Sequence, residues 1–169
     1  ALANSATQFN ADISGWDVSN NTNLDTAFIS TPFNQDISGW DTSGVTAMRS
    51  TFRDTPFNND ISGWDTSSVT SMYGMFKDTP SFNADISGWD TSGVTDMRYM
   101  FQNATSFNQD LFLWCVENIS SYPANFDAGA TSWVLTRPVW GTCPAPATTF
   151  VTNTPTLTWD MLPTNDADN

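Results

Sequence analysis

Large apolar residues recur along the chain at an interval of 24 or 25 residues. A Phe begins each of five similar copies, at Phe9, Phe33, Phe57, Phe82 and Phe107. A Trp follows seven residues later in every copy, and a second Phe follows 19 residues after the first. A period of this length is typical of stacked repeats, in which no single repeat buries its own apolar face.

Each copy divides into two halves with different apolar spacing. In residues 33–40, apolar residues come close to alternate positions and a Gly follows, which predicts a short strand with a bend. Val45, Met48 and Phe52 then follow the i, i+3, i+7 spacing of a helix of about two turns. The sequence Asp-Thr-Pro at 54–56 predicts the turn that ends this helix.

The two halves together predict a repeat solenoid of the leucine-rich-repeat kind. Short parallel strands would alternate with short helices through five coils, and a C-terminal cap would follow. Equivalent apolar side chains of successive coils would stack to form the core. The predicted core ladder consists of Phe33, Ile37, Trp40, Val45, Met48, Phe52, Phe57, Trp64, Phe76, Trp89, Phe101, Trp114 and Phe126.

The sequence predicts four segments. They are a polar lead-in at 1–8, the five-coil array at 9–131, a cap at 132–144, and a linker with an extended tail at 145–169. Thr alternates with other residues in the tail, so Val151, Leu157 and Trp159 predict a half-buried strand. Two hypotheses remain open for it. Either the strand folds back onto the array, or it adds to the sheet edge of a neighbouring chain as an assembly strand.

Charge limits the classes of function. The chain carries 18 acidic and five basic residues and no His, so phosphate backbones and anionic lipids would be repelled. We therefore expect neither nucleic acid nor a membrane surface as a partner. No apolar run is long enough to insert into a membrane. Without His, the usual catalytic base is absent, and no Gly-rich phosphate motif is present, so we expect no enzyme.

The two cysteines lie near the end of the array. In an extracellular context, Cys115 and Cys143 would most simply form one disulfide that staples the cap. The alternative is two unpaired thiols. A zinc site is not expected, because two thiols without His leave its coordination shell incomplete.

Aspartates recur at two positions of the repeat, and like charges stacked about 5 Å apart repel one another unless a local partner offsets them. One hypothesis is Ca²⁺ bound between coils, with Asp36, Asp41, Asp60 and Asp65 as candidate ligands. The alternative, which we prefer, is that each carboxylate accepts hydrogen bonds from amides of its own turn, so that no cofactor is expected. A third row of recurring side chains is interpreted as satisfying the backbone at a corner, with a sugar-binding row as its alternative: Asn10, Asn34, Asn58, Asn83 and Asn108.

Four of the five basic residues project from the predicted helical halves. They form a candidate binding face that would dock a neighbouring acidic surface. The alternative is that they are ordinary solubilising charges. These residues are Arg49, Arg53, Lys77 and Arg98.

The motif Phe-Asn-Gln-Asp-Ile-Ser-Gly-Trp-Asp, followed by Val-Thr-x-Met-x-x-Met-Phe, resembles the repeat of BspA-like and mycoplasma-type bacterial surface proteins. The resemblance covers about residues 9–131. The closing segments at 114–119 and 137–144 look like the terminator of such arrays in proteins of marine bacteria and their phages. The resemblance implies an exported, non-catalytic array used for adhesion or as a structural part of an envelope or virion.

Two functional hypotheses follow for a protein at a cell surface or virion surface. The first is a binding module that recognises a protein or glycan on a host cell. The second is an assembly protein, such as a fibre or decoration subunit, that contacts other subunits and forms homo-oligomers.

Overall fold

The computed structural model describes residues 8–144 of the 169-residue chain, and residues 1–7 and 145–169 lie outside this description. Residues 8–144 contain no helix and no strand longer than a single residue. Three isolated parallel bridges join Asn23 to Ala47, Ala47 to Ser71, and Ser71 to Asp96. The predicted solenoid of the leucine-rich-repeat kind, with strands alternating with helices, is therefore wrong. The repeats, called coils one to five below, are built from turns.

The first half of each coil turns where a strand was predicted. In coil two the Ile37 carbonyl accepts a hydrogen bond from the Trp40 amide at 3.2 Å. The Asp36 carboxylate accepts one from the Ser38 amide at 2.9 Å. An Asp that accepts a hydrogen bond from the amide two residues later stabilises a turn, and this turn competes with extended backbone. The Asp-Ile-Ser-Gly-Trp sequence therefore bends, and the parallel bridges fall in the other half of the coil.

The second half of each coil, predicted as a helix, is a run of turns bonded to the next coil. The amides of Met48, Ser50 and Phe52 donate to carbonyls of coil three at 2.8–3.1 Å. Ser50 and Asp54 have φ angles of 51° and 58°, in the left-handed region that a right-handed helix excludes. A helix bonds each amide to the carbonyl four residues back, so amides committed to the next coil prevent one. Residues 46–54 and their equivalents are called the turned segments below.

The apolar spacing of the turned segments is satisfied without a helix. Val45, Met48 and Phe52 are all fully buried. A spacing of i, i+3, i+7 places side chains on one side of a helix, and a run of turns can present them in the same way. The spacing alone therefore did not distinguish the two backbones.

Stacked aromatic rings form the core. Phe28, Phe52 and Phe76 stack in successive coils, with ring centroids 5.6 and 5.8 Å apart. A second column joins the first, because Phe57 packs on Phe52 at 4.0 Å. All the side chains of the predicted core ladder are at most 4% exposed. Since each ring buries a large area at a fixed position, a few aromatic residues per coil supply a continuous core.

In coils two to five the Trp also bonds to the coil before it. The indole Nε1 of Trp40 donates to the Ile13 carbonyl at 3.2 Å. Trp64, Trp89 and Trp114 make the equivalent bond at 3.0–3.1 Å. Trp16 is 45% exposed, and within the described residues no coil precedes it. The indole therefore contributes both ring stacking and a polar contact that sets the register between coils.

The segment at 132–144 closes the array, and we call it the cap. A disulfide joins Cys115 of coil five to Cys143 of the cap. Trp133 meets the Phe107 ring at 4.7 Å with an interplanar angle of 87°. A perpendicular ring ends the parallel stacking and buries the last Phe of the column. The cap thus covers the end of the aromatic core.

Replacing Trp64 with Ala should lower the free energy of unfolding by about 3–5 kcal/mol, because it removes a buried ring and its inter-coil hydrogen bond. Trp64→Phe keeps a ring and should cost less. Trp16→Ala, at an exposed ring of the same repeat position, should cost under about 1 kcal/mol. Urea unfolding of the three variants measures the order. Equal losses at positions 16 and 64 would contradict the assigned role of the indole stack.

Candidate binding face

The turned segments carry the basic residues on their outer side. Arg49 and Arg53 belong to coil two, Lys77 to coil three and Arg98 to coil four. In coils two to four, Met48, Met72 and Met97 point inward and are buried, so the residues that follow them face outward. Two tyrosines lie among the basic residues. The candidate binding face is defined here as Arg49, Arg53, Tyr73, Lys77, Arg98 and Tyr99.

Cation–π contacts connect this face across coils. The guanidinium carbons of Arg49 and Arg98 lie 5.4 and 5.5 Å from the centroid of the Tyr73 ring. Lys77 Nζ lies 5.2 Å from the centroid of Tyr99, and the two tyrosine rings are 5.3 Å apart. A cation within about 6 Å of an aromatic ring is attracted by the ring quadrupole. Arg49, Lys77 and Arg98 therefore form one connected surface with the two rings, and Arg53 makes none of these contacts.

Sequence reasoning identified the four cations and missed both tyrosines. The signal for Tyr73 was present, because positions 49, 73 and 98 are equivalent in coils two, three and four. A ring between two arginines in the same register predicts stacked cation–π contacts. Tyr99 occupies a different repeat position, where φ is 63°, and no sequence pattern indicated its place.

Carboxylates and amides orient the cations. Arg98 makes two hydrogen bonds to the Asp96 carboxylate, from Nε at 2.9 Å and from Nη2 at 2.8 Å. These bonds hold the pKa of Asp96 below its ordinary value and raise the pKa of Arg98. Arg53 lies 4.0 Å from Asp78. Since such pairs fix geometry more than they add stability at a surface, the face presents oriented charges.

A groove of about 410 Å³ lies beside Arg98, between coils four and five. Its lining includes Thr95, Asn118 and Tyr122. Tyr122 is 52% exposed, and its hydroxyl is hydrogen-bonded to the Asp127 carboxylate. Burial, followed by this hydrogen bond, raises the pKa of Tyr122. The groove therefore combines polar groups with one anchored aromatic ring.

The recurring aspartates lie on the opposite halves of the coils, in turns. Asp36 and Asp60 each accept the amide of the Ser two residues later at 2.9 Å. Asp41 and Asp65 accept both the amide and the hydroxyl of that Ser, at 2.6–3.1 Å. All four are exposed. Each of these carboxylates therefore has the local hydrogen-bond donor that is needed to offset repulsion between stacked aspartates.

The same bonds explain the acidity of these carboxylates. The hydrogen bond from the Ser38 amide lowers the pKa of Asp36. Repulsion from the Asp60 and Asp12 carboxylates raises this pKa by a smaller amount. The Ser43 hydroxyl and then its amide lower the pKa of Asp41. Within residues 8–144, no group of three or more His, Cys, Asp or Glu side chains is placed to hold a metal ion. The calcium hypothesis therefore gains no ligand cluster in this part of the chain.

Asparagines join the coils at the corner before each Asp turn. The Asn10 side-chain oxygen accepts the Asn34 amide of coil two at 2.9 Å. The next three coils repeat this bond at 2.7–3.0 Å. At the end of the row, Asn108 accepts the Val134 amide of the cap at 2.8 Å. The row therefore satisfies backbone amides, as the sequence interpretation stated.

The assembly-strand residues Val151, Leu157 and Trp159 lie outside the described residues.

The Asp turns should make the array acid-labile. Their carboxyl pKa values are lowered by folding from an ordinary value of 3.8, so their stabilisation is complete above that value. It is lost as pH falls through the folded values. The melting temperature should stay level from pH 8 to about 5 and drop below about pH 4. A level melting temperature down to pH 2.5 would contradict the role of these turns.

A pair of variants separates the hydrogen bond from the charge. Asp41→Ala removes the acceptor for Ser43, whereas Asp41→Asn keeps an oxygen at the same position. We expect Asp41→Ala to lower the melting temperature more than Asp41→Asn at pH 7. Equal effects would assign the role to the charge alone.

Residues 8–144 contain no helix long and apolar enough to cross a membrane.

Comparison with known proteins places the chain in a family. Neither a curated protein nor a solved structure matches the sequence significantly. A family model described as "Mycoplasma protein of unknown function, DUF285" matches residues 1–56 and 30–134. Because these matches cover most of the chain, the protein belongs to the DUF285 family.

Proposed function

We propose that the protein is a non-catalytic, exported surface protein that acts as an adhesion or structural module. It would work through repeat-mediated contacts with other proteins, including further copies of itself. The resemblance of the repeat motif to that of BspA-like and mycoplasma-type surface proteins supports the proposal, and the matched family is described from Mycoplasma. The disulfide between Cys115 and Cys143 supports export, because such bonds persist in oxidising compartments.

The observation that carries the proposal is that the cations of the coils are confined to one half, whereas the other half carries acids alone. The Asp turns place nine aspartates on one half, at Asp12, Asp17, Asp36, Asp41, Asp60, Asp65, Asp85, Asp90 and Asp110. No Lys or Arg falls in that half of any coil, whereas four of the five basic residues lie on the binding face. Both sets follow the same repeat interval. The turned segments also carry Asp54, Asp78 and Asp96, and two of these lie beside Arg53 and Arg98.

Matched spacing makes the two surfaces complementary. Each of the two aspartate rows recurs at the repeat interval, and so does the register of Arg49, Tyr73 and Arg98. An acidic row on a second copy can therefore face several positions of the binding face at once. Complementary charges of this kind give specificity and salt-sensitive association. The same contact would serve a subunit of a cell envelope or of a virion.

Adhesion to a glycan is a second candidate, favoured by the groove beside Arg98. Its polar lining offers donors and acceptors, and Tyr122 offers an aromatic surface. Small-ligand sites combine a few oriented polar groups with apolar or aromatic walls. This candidate uses only the groove at coils four and five, whereas self-association uses the whole binding face.

The solution mass of the full chain tests the proposal. We expect species larger than the 18.6 kDa monomer at 50 mM NaCl and dissociation at 500 mM NaCl, since screening weakens contacts between exposed charges. Arg49→Gln should reduce association. Ser132→Asp changes the net charge equally at an exposed position of the cap, outside both the binding face and the Asp turns, and should leave association unchanged.

Two outcomes would contradict self-association. One is a monomer at all salt and protein concentrations, which would direct attention to a glycan array with Tyr122→Ser as the variant. The other is an equal loss of association in Arg49→Gln and Ser132→Asp, which would indicate a general effect of net charge. Melting temperatures within about 2 °C of the parent chain check that both variants remain folded.

A further inference from the structure

Exposed apolar side chains concentrate at the C-terminal end of the described chain. Seven large apolar side chains are classed as exposed within residues 8–144, and only Trp16 of these lies in the first four coils. Tyr122 belongs to the groove described above. The other five form what we call the apolar face: Phe112 at 47%, Leu113 at 70%, Val134 at 80%, Leu135 at 43% and Val139 at 50% exposed.

Backbone contacts bring the segments that carry these residues side by side. The Val134 and Leu135 amides both donate to the Asn108 side-chain oxygen, three residues before Leu111. The Leu111 amide donates to the Thr136 carbonyl at 2.9 Å. The Val116 amide donates to the Thr142 carbonyl at 2.8 Å. Residues 111–116 and 136–142 therefore run side by side in the same direction. Phe112 and Leu113 lie between these two contacts on one segment, and Val139 lies between them on the other.

An apolar surface of this kind needs a cover. Isolated exposed apolar residues are ordinary on a protein surface, whereas several of them on neighbouring segments mark a docking site. The surface of the first four coils is polar and acidic, and only one large apolar side chain is exposed there. The end of the described chain therefore differs from the rest of the surface. The cap already covers the aromatic core, so its outer side is available for a second contact.

The chain itself supplies a segment that fits. The disulfide holds Cys143 to Cys115, two residues from Leu113, so the chain passes the apolar face as it leaves the described part. Residues 145–159 carry no charge, and the alternating residues 151–159 follow a six-residue connection. Six extended residues span roughly 20 Å, so Val151, Leu157 and Trp159 can reach the face.

We propose that the apolar face is the docking site for residues 151–159 of the same chain. The odd-numbered residues of this segment, including Leu157 and Trp159, contact the face, and the even-numbered threonines point away from it. A short tether holds the segment at an effective concentration of about millimolar, which favours docking within one chain over exchange between copies. The proposal does not depend on the function of the binding face.

Hydrogen–deuterium exchange of the full chain tests this directly. The amides of residues 151–159 should exchange at least tenfold more slowly than in an unstructured peptide of the same sequence. This protection should be equal at 1 µM and 100 µM protein. Leu157→Asp with Trp159→Asp should abolish it, whereas Thr156→Asp with Thr158→Asp, with the same change in charge, should preserve it.

Substitutions on the other side of the contact complete the test. Val134→Asp with Val139→Asp should release the segment while leaving the coils folded, since both side chains are at least half exposed. Exchange as fast as in the free peptide would overturn the proposal. Protection that grows with protein concentration would also overturn it, because the occupant would then be a second copy. Equal loss of protection in both double variants of the tail would overturn it as well, because the proposed contact is made by the odd-numbered residues.

Discussion

The turned segments commit alternate backbone amides to the next coil, and the rest of the structure depends on this constraint. Met48, Ser50 and Phe52 find their acceptors in coil three and not in their own coil. A single coil would therefore leave amides unsatisfied as well as aromatic rings exposed. Both deficits disappear only on stacking, because the next coil brings carbonyls and rings in the same register. The Trp indoles add a bond in the opposite direction along the stack.

Polar side chains replace regular secondary structure in this chain. Asp carboxylates bind amides within a turn, and Asn side chains bind amides of the next coil. These short side chains hold the backbone in conformations that neither a helix nor a sheet uses. Much of the chain's acidity is therefore structural. The acidity follows from the Asp turns in every coil. The turned segments, in the other half of each coil, carry the binding face.

That division gives the molecule three surfaces with different chemistry. The Asp turns are acidic, and the binding face combines cations with Tyr73 and Tyr99. The outer side of the cap is apolar. A fixed interval repeats the first two along the stack, so they suit extended contacts. The third occurs once, where the stack ends, and suits a single segment.

The sequence by itself determined the repeat interval, the inward-facing aromatic positions and the chemistry of the Asp and Asn rows. Those features are periodic, so each copy repeated the same signal. The sequence did not determine the backbone conformation of the turned segments. The spacing of Val45, Met48 and Phe52 suits a helix and a run of turns equally, and only the amide partners in coil three distinguish them. Tyr99 and the apolar face were hidden for the same reason. Their surroundings come from residues about 24 positions away, and the tertiary structure alone brings these together.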